Sequence, residues 1–247
     1  MLHSDHTILF ISIIFILSGQ VNAQNHAAGT GPGSLSEYIE KKHGLDQELI
    51  NGIQFYQRNV QFRGDPCFPE DKLYPGSVTV KGTVYDNVYL KYNCYFQNII
   101  LKYTNLDGND NLLILNNDHI DSFRLGTLCF TKKSFTAGDP LFYQVFRCGP
   151  VMLYVHWEKS SRKLNDYNRN YTNEYTKLIR RYFVTYEGQI RPVTGKKAFI
   201  SILPDTLKRE TKKYFKNQRL SLRSAGPSDI QQLADFLSSC YPEVTEN

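Results

Sequence analysis

Between residues 49 and 130 the chain alternates apolar and polar residues with a period of two, and residues that turn the backbone interrupt it at short intervals. Val78 and Val80 alternate with Thr79 and Lys81, and Val88, Leu90 and Tyr92 with Tyr89 and Lys91. Successive side chains of a strand point to opposite faces, so this period belongs to strands with one buried face. Asn51-Gly52 offers the positive-φ pair that a two-residue hairpin turn asks for, and Tyr85-Asp86-Asn87 and Asp107-Gly108-Asn109-Asp110 are further places for reversal. Residues 99–103, 112–115, 120–125 and 128–131 continue the series. Such spacing predicts an antiparallel β-meander, either a curved sheet or a partly closed barrel, over alternating strands and helices.

Longer strands follow. Residues 141–146 and 151–157 are rich in aromatic and β-branched side chains, and Cys148-Gly149-Pro150 between them predicts a hairpin. The polar, charged stretch 158–174 predicts an exposed loop. Residues 175–186 and 189–193 then return as strands about Glu187-Gly188. The end is helical: Thr194 is placed to cap one short helix and Pro204-Asp205 to start another. Ser228 and Gln231 are spaced as a capping box before the stripe Ile230, Leu233, Ala234 and Leu237. These stripes need an apolar surface, and the sheet supplies it. The expected class is α+β, mainly β, with the sheet over 49–193 and short C-terminal helices over 194–247 packing on it within one domain.

The first 23 residues carry no Lys or Arg and hold the run Ile8-Leu9-Phe10-Ile11-Ser12-Ile13-Ile14-Phe15-Ile16-Leu17. Val21 and Ala23 occupy the small-residue positions of a signal-peptidase site, so a signal peptide over 1–23, cleaved between Ala23 and Gln24, is expected. A membrane span needs roughly 20 apolar residues, about twice this run. Export to the periplasm, the outer-membrane region or the medium follows. Residues 24–48 read as a Gly-rich flexible leader and a short helix with a capping box at Ser34 and Glu37.

Several of these signatures also carry a resemblance. Gly64-Asp65-Pro66, Pro75-Gly76-Ser77-Val78-Thr79-Val80-Lys81-Gly82, Tyr85-Asp86-Asn87-Val88-Tyr89-Leu90-Lys91-Tyr92-Asn93 and Leu115-Asn116-Asn117-Asp118-His119-Ile120-Asp121-Ser122-Phe123 resemble a large family of secreted β-rich proteins typical of Bacteroidota. Tyr182-Phe183-Val184, Gly188, Lys196-Lys197 and Leu203-Pro204-Asp205 are similar to the end of those proteins. The resemblance runs from about residue 49 to 241 and implies a fold; it brings no function and no catalytic residues. The five cysteines depart from that pattern, so nothing about them is carried over.

In an oxidising compartment the five cysteines could form one or two disulfides. Cys129 with Cys148, on successive strand regions, is the first candidate pair and Cys67 with Cys94 the second; the alternative is that several are small buried apolar side chains. Asp107-Gly108-Asn109-Asp110-Asn111 has clustered oxygens, but its glycine comes too early for a calcium loop and a hairpin turn explains the same letters. His119 and Asp121 share a strand face and form the local base–carboxylate pair singled out for testing; His156-Trp157-Glu158 is set aside because immediate neighbours point apart. No nucleophile elbow, phosphate loop, zinc-protease helix or dinucleotide fingerprint occurs, and no cofactor or metal is expected.

Without residues 1–23, which hold one acid and no Lys or Arg, 29 basic residues face 23 acidic ones, a net charge of +6. That is too mild for a nucleic-acid partner. Ten Lys or Arg between Arg191 and Arg223 against Asp205 and Glu210 form a basic stretch. A solvated helix face is the plainer reading of it, and contact with anionic lipid the lesser one. The functional expectation is an exported, non-catalytic envelope protein, a structural or binding module for a partner protein or glycan. A hydrolase with a site assembled from loops is the alternative. An outer-membrane barrel is the weakest reading, since the strands are short and the chain hydrophilic.

Overall fold

The computed structural model describes residues 46–56, 62–105, 107–164 and 171–241. The expected cleavage site at Ala23 and Gln24, and the capping box at Ser34, lie outside the described residues. The strands are β1 (Gly52–Gln54), β2 (Phe62–Arg63), β3 (Cys67–Phe68), β4 (Tyr74–Val80), β5 (Thr83–Asn93), β6 (Asn98–Thr104), β7 (Asp110–Leu115) and β8 (Ile120–Leu125). They continue as β9 (Leu128–Lys133), β10 (Leu141–Cys148), β11 (Val151–Glu158), β12 (Ser161–Lys163), β13 (Asn173–Tyr175), β14 (Ile179–Tyr186) and β15 (Gln189–Val193). Three helices close the chain: α1 (Lys196–Ile202), α2 (Asp205–Asn217) and α3 (Pro227–Ser239).

Twelve strands form one antiparallel sheet in the order β1-β7-β6-β5-β4-β8-β9-β10-β11-β14-β15, with β3 pairing the end of β5. The fold is α+β and mainly β, as the alternation predicts. The sheet is curved and does not close, for β1 and β15 remain as its edges. Pro192, which has no N–H to offer a further strand, blunts β15. How far the sheet curls is shown by Phe68 of β3, whose ring stacks on Trp157 of β11 at 4.7 Å although four strands separate β5 from β11. Gln97 ties the same two limbs together. Its Nε2 donates to the carbonyls of Cys94 and Trp157, at 2.7 and 3.0 Å, and its Oε1 accepts from the Tyr92 hydroxyl.

Turn letters and actual turns do not coincide everywhere. The chain reverses between β4 and β5 at Lys81-Gly82, both at positive φ. Asp86-Asn87 lies inside β5, where Asn87 at φ 58° is the extra residue of a β-bulge between the pairs Gly76↔Val88 and Ser77↔Asp86. Gly52 is likewise in a strand, and its missing side chain admits Ile114 of β7: a Cβ there would stand 2.1 Å from the Ile114 carbonyl oxygen. The Glu187-Gly188 turn and the hairpin through Gly149-Pro150 form as expected. The stretch expected as a loop over 158–174 contains β12, which pairs β13 and, through it, β2 in a small second sheet. The strand expected from 175 starts only at Ile179.

One contiguous core spans sheet and helices. From the strands it takes Leu90, Tyr92, Leu101, Phe123, Phe130, Phe142, Val155 and Trp157; from the helices it takes Phe199, Leu207, Phe215, Ile230, Leu233 and Leu237. α1 begins after Gly195, not at Thr194. α3 begins at Pro227, whose ring suits the first helical position, and Asp229 accepts the Gly226 N–H at 2.7 Å in place of the expected Ser228–Gln231 box. Opposite the core, Phe135 in the loop after β9 covers Tyr143, Tyr154 and Phe183 with ring centroids about 5 Å away.

Candidate functional site

The end of β5 and the turn that follows it gather a cluster of four aromatic rings, one of them exposed, and a set of charges. β3 runs antiparallel to that end, with Cys67 opposite Asn93 and Phe68 opposite Tyr92. The loop from Gly64 to Lys72 therefore lies beside Lys91. Lys91 is 7% exposed, and its ammonium donates to Asp71 at 2.8 Å. Lys159, just past β11, donates to the backbone carbonyls of Asp65 and Cys67. The Asp65 carboxylate accepts the Cys67 N–H at 2.6 Å. Two acids of this loop, Asp65 and Asp71, thus sit with two ammonium groups from outside it, Lys91 of β5 and Lys159 beyond β11.

The turn after β5 is fixed by Asn93, whose side-chain oxygen accepts the N–H groups of both Tyr95 and Phe96, at 3.1 and 3.0 Å. This holds two adjacent rings outside the strand alternation. Tyr95 packs edge-on against Phe96 at 4.7 Å and against Tyr175 at 5.1 Å, and Tyr175 stacks on Phe62 at 4.7 Å. Phe62, Tyr95 and Tyr175 are half-buried, while Phe96 is 65% exposed. The Tyr95 hydroxyl meets the Ser161 hydroxyl at 3.2 Å. Burial raises the Tyr175 hydroxyl above its ordinary value, and Tyr95, Cys67, Asp65 and Asp71 add to the effect, so it stays a donor. Glu174 on the same small sheet takes Arg162 at 2.7 Å and Arg63 at 3.8 Å.

Asp65, Cys67 and Asp71 bring three groups able to ligate a metal, two carboxylates and a thiol, within 4.8 Å of one another. The Lys91 ammonium already neutralises Asp71, and burial, helped by the Asp71 and Asp65 carboxylates, pushes the Cys67 thiol far up. The thiol is therefore protonated at neutral pH and a poor nucleophile. What the arrangement offers chemically is a ring face next to paired donors and acceptors, which suits holding a ligand.

Cys129 and Cys148 are both free thiols, which corrects the expected disulfide. Gln144 of β10 pairs with Phe130 of β9, so Cys148 shares the core face with them while the exposed Cys129 points to the other face. Cys67 and Cys94 are also free and buried. Cys94 follows the residue opposite Cys67 and turns its sulfur to the Pro66 carbonyl at 3.2 Å. His119 ends a short 3₁₀ turn capped by Asn116, and Asp121 accepts the Gly82 N–H at 2.7 Å, so the two serve different turns. His156 and Glu158 are the pair passed over: two residues apart, they share a face, with Nε2 4.0 Å from Oε2. The Asn105 carbonyl and side chain accept the N–H groups of Gly108 and Asn109.

Two hollows lie elsewhere. One of about 310 Å³ is lined by Tyr186, Arg191, Pro204, Asp205 and Lys208. One of about 170 Å³ is lined by residues of β10 and α3, among them Gln144, Arg147, Gln231 and Asp235. Among the described residues no helix is long and apolar enough to cross a membrane. Compared with known proteins, the chain matches no family model, no curated protein and no solved structure. The ring cluster escaped sequence reasoning because its members come from three separate places in the chain. The signal that could have found it is Asn93 followed at two and three residues by Tyr95 and Phe96, a turn motif carrying aromatics where strand packing does not need them.

Proposed function

We propose that the chain is an exported, non-catalytic envelope module that binds a partner protein or glycan through Phe96 and the rings behind it. Export rests on residues 8–23 and their small-residue cleavage site. Binding rests on one observation: Phe96 stands 65% exposed yet is held in place by Asn93 and backed edge-on by Tyr95. An exposed aromatic anchored this way gives contact area at low entropic cost, the habit of interface anchors. Asp65 and Asp71 lie close enough to Tyr175 of the same cluster to raise its hydroxyl, and Lys91 and Lys159 balance them, which favours a ligand of little net charge.

The test is affinity capture by the chain from Gln24 onward, from a detergent-solubilised envelope fraction and in parallel on immobilised glycans, with Phe96→Ala as the comparator. Capture that falls on the order of 10-fold or more in Phe96→Ala supports the reading. Capture indifferent to Phe96→Ala and Tyr95→Ala, or no capture by a clean monomer, sinks it.

A further inference from the structure

We propose that the outer face of α2 docks on an anionic lipid surface. The helix commits its apolar side to the core, where Leu207, Thr211 and Phe215 are buried and Tyr214 stacks on Phe236 at 4.3 Å. Opposite them, Arg209, Lys212 and Lys216 project from one side at positions i, i+3 and i+7, all exposed. The two acids of the helix are already engaged: Asp205 holds Lys208 at 2.7 Å and Glu210 holds Lys213 at 2.9 Å. Among the described residues no ion pair reaches Arg209, Lys212 or Lys216, nor the exposed Arg219 and Arg223 in the loop beyond the helix. Arg223 also receives a basic neighbour, since Arg180 donates to its carbonyl at 2.9 Å.

The face is therefore an outward-facing row of three cations, about 10 Å long on one helix, that no ion pair engages. Neither hollow of the molecule is lined by Arg209, Lys212 or Lys216, and a row on the outer side of a helix matches a plane of headgroups better than a single polyanionic strand. With no apolar side chain left to insert, the contact is electrostatic alone and must weaken steeply with salt. It shares no residue with the Phe96 surface, so either assignment can fail without the other.

The experiment is co-sedimentation of the chain without its expected leader, using vesicles of phosphatidylcholine with phosphatidylglycerol and vesicles of phosphatidylcholine alone. Binding to the first only, lost at about 0.5 M salt, is expected. The variant Arg209→Gln/Lys212→Gln/Lys216→Gln should lose on the order of 100-fold in partitioning, Arg219→Gln/Arg223→Gln less, and Phe96→Ala nothing. Arg209→Lys/Lys212→Arg/Lys216→Arg, which keeps the charge, should bind as the parent does. Equal binding to both vesicles, no binding, or a triple variant that binds unchanged overturns the proposal. Binding to soluble dextran sulfate with none to vesicles also overturns it, in favour of a polyanionic chain.

Discussion

His156 lies on β11 with 1% of its surface exposed, and its Nδ1 meets the Phe142 carbonyl at 2.9 Å. That bond fixes the neutral form with the proton on Nδ1. Burial, aided by the Arg181 charge, holds the imidazole below its ordinary value, against the pull of the Phe142 carbonyl and Glu158. The unfolded chain therefore binds the proton first as pH falls, near ~6.5, and stability is lost from there down to the folded value. His156→Asn, which keeps a donor for Phe142, should flatten the dependence of the urea midpoint between pH ~5 and ~6.5. Parallel slopes for parent and variant would refute this. The thiols give a second residue-scale test. Burial pushes Cys94 and Cys148 up to about 12, while Cys129 is exposed. Ellman's reagent should react quickly with Cys129 in the native chain and reach Cys94 and Cys148 only on unfolding. The denatured, unreduced chain should then yield all five thiols; a lower count would restore a disulfide.

At the scale of elements, the pairing of strands explains the ladder, but Gln97 explains the curl. Its amide satisfies the Cys94 and Trp157 carbonyls and the Tyr92 hydroxyl, and its own carbonyl accepts Asn117 at 2.7 Å. Gln97→Ala takes this partner from the buried Tyr92 hydroxyl and the Trp157 carbonyl, at about 1–3 kcal/mol each, while the Cys94 carbonyl keeps the Lys159 N–H. A fall in the urea midpoint equivalent to about 2–4 kcal/mol is expected, and a loss under about 1 kcal/mol would mean that water replaces the bridge. None of this was legible beforehand. Gln97 looked like any polar turn residue, because its partners come from β5, β11 and the turn before β8. The strands themselves were legible where apolar and polar residues alternate, as at the end of β4, or where β-branched and aromatic residues run together, as in β6 and β11. They were misread where polar letters served a bulge, as at Asp86-Asn87, or a close approach, as at Gly52.

The whole molecule has one core, so sheet and helices should melt together. Trp157, the only tryptophan, is fully buried between Phe68 and Arg180, and its indole N–H donates to Gln144 at 2.8 Å. Its fluorescence reports the sheet interior, whereas far-UV ellipticity at the helical minimum reports α1 to α3. Coincident urea transitions by the two probes are expected; separate midpoints would mean that the helices unfold as a unit of their own. The sequence by itself determined the class, the antiparallel order of neighbouring strands, the turns at Glu187-Gly188 and Gly149-Pro150, and the apolar stripes of α2 and α3. Those features depend on residues close together in the chain, where periodicity and backbone preference act directly. Only the tertiary structure decided which face each cysteine takes, the tie through Gln97, and the meeting of Phe62, Tyr95, Phe96 and Tyr175 beside Lys91 and Asp71. Those depend on the curl of the sheet, which is set by packing among side chains that lie far apart in the sequence.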